Sequence, residues 1–189
     1  IGPEEGAMTG LLAAFGLAAA TGLNAYLPLV IVGLLARFTD LVALEAPWDA
    51  LANPVVLAVL GVLLLVELTV DKIPAVDTVN DVIQTAFRPA AGAVLFAASG
   101  NVISDVSPVL AMVCGLLVAG GVHTAKTVAR PAVTAGTAGT GNPVVSLAED
   151  AVSGVTTVVA VVAPVLLMLG LLLAAWLFMR RRNRRNARR

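Results

Sequence analysis

PVVLAVLGVLLLVELTV, residues Pro54–Val70, is a run of 17 residues with a single charge, Glu67. It opens on proline, a favoured first helical residue because the N–H that proline lacks is unsatisfied at that position anyway. An apolar helix of this length belongs in hydrocarbon. The same character runs through most of the chain. Of 189 residues, 59% are hydrophobic, 13% charged and 4% aromatic, and the mean hydropathy is +0.95. A soluble domain carries roughly 25% charged residues, so this surface is too poor in charge to face water. The composition predicts an all-α, polytopic transmembrane helical bundle.

Outward from Pro54–Val70, four further apolar segments appear. The first, Met8 to Leu35, is interrupted by Thr21, Gly22 and Asn24 with Pro28 one turn later, which fits a tilted helix or a broken one. Pro89 to Val102 is short for a crossing and fits a re-entrant segment. Pro108 to Val122 runs into polar sequence, and Pro131 to Asn142, rich in Gly, Thr and Ala, reads as a connector. Val155 to Phe178 is the last, with Trp176 as an interfacial anchor. The expectation is four to six membrane segments, some broken or re-entrant. Residues 1–179 form one transmembrane domain and residues 180–189 a basic tail.

Net charge is zero, but it is unevenly spread. Seven of the twelve basic residues are in the tail, including Arg180, Arg181, Arg182, Arg184 and Arg185, and the body holds five basic against twelve acidic residues, a net −7. Directly after an apolar span, such a run reads as a juxtamembrane anchor on anionic lipid headgroups rather than a nucleic-acid site. It places the C-terminus in the cytoplasm of a multi-pass protein of the bacterial plasma membrane. The lone cysteine, Cys114, excludes an internal disulfide.

Ionised groups in apolar sequence carry the chemical information, since each costs roughly 2.5–3.5 kcal/mol at a helix centre unless paired or hydrated. Glu67 and Asp71 stand at i and i+4 on one helical face, followed by Lys72. Asp77, Asp81, Gln84 and Arg88 continue at spacings of four, three and four, with Asn80 beside them. A second stripe, His123, Lys126 and Arg130, is basic. The two stripes are expected to meet around a polar cavity. The bland alternative makes 71–88 an interfacial helix with its charges in water.

Duplication leaves three echoes: Gly16/Ala20/Gly22 with Gly115/Ala119/Gly121, N-P-V-V at Asn53 and Asn142, and T-x-x-R-P-A at Thr85 and Thr127. Their offsets disagree, so an inverted repeat is at most weak. Small residues four apart also serve close helix packing.

The strings GLNAYLPL (Gly22–Leu29), DKIPAVDTVND (Asp71–Asp81) and FRPAAGA (Phe87–Ala93) resemble a bacterial membrane family described as domain of unknown function 4126. The resemblance covers roughly Leu11 to Ala175 and implies that Asn24, Tyr26, Asp71, Lys72, Pro74, Asp77, Asp81 and Arg88 belong to a family pattern. It implies no activity.

Three functions are consistent with these residues. The first is a transporter or channel for a small polar or amphiphilic solute, its pathway lined by Asn24, Glu67, Asp71, Asp81 and Arg88. The second is a non-transporting scaffold, in either case able to form a homo-oligomer. The third, a metal-dependent lipid enzyme using Asp77 and Asp81, lacks the remaining signature residues. No catalytic residue, metal or cofactor is assigned.

Overall fold

The computed structural model describes the backbone of residues 3–70, 74–99 and 107–166 and separate positions between 169 and 180; the side chains of 3–7 and 74–81 lie outside the description. Six α-helices are delimited among the described residues: α1 (Pro3–Leu23), α2 (Tyr26–Phe38), α3 (Pro54–Val70), α4 (Pro74–Ala98), α5 (Pro108–Thr137) and α6 (Asn142–Val162). A short 3-10 turn, Trp48–Ala52, precedes α3.

Helices α5 and α6 are long and apolar enough to cross a membrane, and only 22% and 28% of their most apolar stretches are buried. A core helix of a soluble protein would be mostly covered. Here Val109, Leu117 and Val128 of α5, and Val144, Val155 and Val162 of α6, stand open. Four shorter apolar helices, Met8–Leu23, Tyr26–Phe38, Pro54–Val70 and Val82–Ala98, complete the set. The protein is thus all-α with two helices of spanning length.

Of the two forms expected for the first apolar run, the broken one is found: α1 stops at Leu23 and α2 begins at Tyr26. Other segments differ from the sequence expectation. Pro89 does not open a separate segment but lies inside α4. Pro131 likewise lies inside α5, which reaches Thr137, so the connector shrinks to the turn around Ala138 and Gly139, both with positive φ. Proline costs about 3 kcal/mol within a helix. Tertiary packing outweighs that here, since α4 and α5 share the largest interface in the molecule. The last run, Val155 to Phe178, is divided: its start belongs to α6, which runs from Asn142 to Val162, and the described positions from Pro164 onward are again helical.

The α4–α5 contact works through missing side chains. A Cβ on Gly92 would overlap Ala119 Cβ and come within 2.8 Å of the Gly115 carbonyl, and one on Gly115 would overlap the Gly92 backbone. A Cβ on Gly22 of α1 would lie 2.6 Å from the Ala119 carbonyl. Three helices therefore approach to backbone contact, where dispersion replaces the hydrophobic force that lipid does not supply. Around this line pack Ala14, Ala18, Phe96, Ala97 and Ala111, and a second cluster of Leu17, Leu29, Val32, Leu51 and Leu95.

Gly115→Leu should force α4 from α5 and cost roughly 1–3 kcal/mol or more. Gly61→Ala and Gly121→Ala, whose added methyls meet nothing within 4 Å, should be neutral or gain up to about 1 kcal/mol. Thermal unfolding of the detergent-solubilised variants measures both.

Candidate functional site

Breaking a helix inside an apolar bundle leaves carbonyls on one side of the gap and N–H groups on the other, each costly to bury unpaired. The α1–α2 gap, Asn24 and Ala25, is buried. Asn24 Oδ1 accepts from the Tyr26 N–H at 3.1 Å and the Leu27 N–H at 2.9 Å. Its Nδ2 donates to Asp150 Oδ1 of α6 at 2.9 Å. One amide thus caps the start of α2 and ties it to a distant helix.

Charges complete the closure. Glu67 is the one residue of α3 that is fully buried, and its carboxylate accepts from the Ala25 N–H at 3.3 Å and, at the long end of the range, the Tyr26 N–H at 3.5 Å. The N-terminal, positive end of α2 therefore faces an anion. On the other side, Lys126 of α5 donates from Nζ to the Leu23 carbonyl at 3.2 Å, a cation on the negative end of α1. Ser153 of α6 donates to the Ala20 carbonyl at 2.9 Å.

Each of these charges has a counterion. Arg88 Nη2 lies 3.1 Å from Glu67 Oε1, both side chains being 0% exposed. Glu149 receives Lys126 at 3.0 Å and Arg130 at 2.8 Å. Arg88 Nη1 also donates to His123 Nδ1 at 3.1 Å, while His123 Nε2 lies 3.1 Å from Thr85 Oγ1. Arginine has no acceptor, so Nδ1 must accept. The ring is the neutral Nε2–H tautomer and donates to Thr85. Gln84 Oε1 and Ser146 Oγ are buried without a hydrogen-bond partner among the described residues.

The structure thus gathers Asn24, Tyr26, Glu67, Gln84, Arg88, His123, Lys126 and Arg130 around one helix break. Asp71 and Lys72 lie outside the described residues, as do the side chains of Asp77, Asn80 and Asp81, so the meeting of the acidic stripe with Lys126 and Arg130 is not part of the description. Among the described residues, Lys126 and Arg130 of the basic stripe pair with Glu149. Sequence reasoning missed Glu149, Asp150, Thr85 and the buried hydroxyls of α6. The signal was present: Asn142, Ser146, Asp150, Ser153 and Thr157 recur at four, four, three and four residues and are all buried. In the tail, Arg180 is exposed with its guanidinium 5.0 Å from the Trp176 ring centroid, and Arg181, Arg182, Arg184 and Arg185 are outside the description.

The family described as DUF4126, a domain of unknown function, matches residues 11–184. The chain belongs to that family. The DUF4126 match takes in the gap, all of α2 to α6 and the three ion pairs described above, so the whole polar node lies inside the family's bounds. No curated protein and no solved structure matches the chain.

Two outcomes follow from the node. Glu67→Leu or Arg88→Leu alone should destabilise by roughly 3–5 kcal/mol, because each strands a buried charge, and the double replacement, which still bares the first amides of α2, should cost clearly less than the two single losses added together. A double-mutant cycle on unfolding in detergent reads the coupling. Nitrogen-15 shifts of labelled His123 should report a protonated Nε2 and a bare Nδ1.

Proposed function

We propose that this DUF4126 protein is a non-transporting membrane scaffold, in which buried charges lock the helices and apolar outer faces meet lipid and other chains. One observation carries the reading. In transporters with discontinuous helices, the opposed helix ends bind an anionic group of the solute and a coupling cation. Here Glu67 occupies the first place and Lys126 the second, both already paired within the protein.

The surroundings support it. A half-open pocket in the bundle is lined by residues such as Leu17, Val32 and Leu95, and Glu67, Arg88 and Lys126 are not among its described lining residues. In this reading the broken pair α1–α2 and the helices α3 to α6 make a multi-pass body in the bacterial plasma membrane. The Arg-rich tail lies in the cytoplasm against anionic headgroups, as the positive-inside rule favours. The open face of α3, with Val55, Val59, Val62 and Leu65 exposed, is available to lipid or to a second copy.

A transporter or channel is the second reading, favoured by the break itself, because irregular backbone at membrane depth elsewhere lines aqueous cavities. Cysteine accessibility separates the two. In a Cys114→Ser background, Ser146→Cys and Ser153→Cys are nearly isosteric probes of the node. The scaffold predicts that membrane-impermeant thiol reagents label neither from either side of a proteoliposome. Rapid labelling from one side would establish a water path and overturn the scaffold in favour of transport.

A further inference from the structure

We infer that the end of the bundle opposite the polar node holds the acyl chain of an amine-headed phospholipid. This stands independently of the scaffold reading, since a transporter could carry the same lipid. A cavity of about 230 Å³ lies between the N-terminal half of α1, the C-terminal end of α4, α2 and the end of α6. Its walls include Ala13, Leu17, Val32, Leu95, Ala98 and Val161, closed on one side by residues 41–44. From Ala13 to the break at Leu23 is about 15 Å along α1, so the pocket and the charges do not overlap.

The chemistry of the walls selects hydrocarbon. A water molecule needs two to four polar partners, and the described walls of this half-open pocket are mostly apolar. Two hydroxyl residues, Thr9 and Ser99, reach the lining, and the Ser99 hydroxyl is already bonded to the Leu95 carbonyl at 2.9 Å. The space exists because Gly10, Ala13 and Ala98 are small where three helices converge. In a bundle whose outer faces are apolar, a neighbouring lipid chain is the hydrocarbon at hand.

Charge around the pocket selects the headgroup. The segment 39–53 that supplies the lid carries Asp40, Glu45 and Asp49 and no basic residue. Asp40 and Glu45, exposed, flank the lining stretch on both sides. The nearest base in sequence, Arg37, turns its guanidinium to the Ala52 carbonyl at 3.1 Å. Carboxylates next to each end of this lining stretch favour a headgroup bearing a primary ammonium over a purely anionic one.

The test uses the full chain in detergent with phosphatidylethanolamine or phosphatidylglycerol of identical chains, each carrying a diazirine at the chain end. Photolysis and peptide mapping should place adducts on residues 41–44 and 95–99. Ethanolamine lipid should exceed glycerol lipid by about three- to five-fold, the scale of one or two solvent-exposed ion pairs. Asp40→Asn with Glu45→Gln should erase that preference while leaving the adduct sites in place. Ala13→Phe, or the smaller filler Ala98→Leu should the first not fold, should remove the adducts at unchanged helical circular dichroism. Adducts persisting in both folded fillers, labels confined to the outer faces of α3, α5 and α6, or equal uptake of the two lipids would each overturn the assignment.

Discussion

An interrupted helix in an apolar medium cannot leave its ends bare, and that constraint organises this molecule. The gap between Leu23 and Tyr26 exposes a carbonyl end and an amide end within the bundle. Lys126 and Ser153 answer the first, and Asn24 and Glu67 the second. Those four side chains come from α5, α6, the gap itself and α3, so satisfying one break draws three further helices to it. A charge at a helix end is worth up to about 2 kcal/mol when partly buried, less than the cost of burying it alone. The charges therefore require Arg88 and Glu149, and the network is cooperative in that sense.

The same requirement explains why α3 stays attached. Its apolar face is largely open, and its one fully buried residue is a carboxylate. In hydrocarbon, lateral burial of valine and leucine gives little reason for two helices to associate. A paired ion at the centre does. Removing Glu67 would leave α3 joined through its shallow contacts with α2 and the 3-10 turn.

Much of this was legible in sequence because hydrocarbon tolerates so few charges that each marks a buried partner. Glu67, Arg88, His123, Lys126 and Arg130 stood out by position alone, and Asn24 by interrupting an apolar run. Pairing was less legible. One acidic partner of Lys126 and Arg130 is Glu149, on a helix beyond the Gly- and Thr-rich segment, and an α6 stripe with Asp150 as its one charge among Asn, Ser and Thr stands out less than the runs of charge elsewhere. The two prolines misled for a physical reason: Pro89 and Pro131 break helices in water, but packing through Gly92, Gly115 and Ala119 carries α4 and α5 past them. The T-x-x-R-P-A echo gains a meaning there. In both copies the Arg before the Pro is buried and paired with a Glu of an adjoining helix, 3.1 Å in one case and 2.8 Å in the other. Shared chemistry accounts for the likeness, and the mismatched offsets need no duplication.

A closed break and a solute site differ in one local property, the access of water to the first amides of α2. Residue-resolved hydrogen exchange on the lipid-embedded full chain measures it at Ala25, Tyr26 and Leu27. Held by Glu67 and Asn24, these amides should exchange as slowly as the interior of α5. Exchange at the rate of an open loop would contradict the closure of the break on which this account stands.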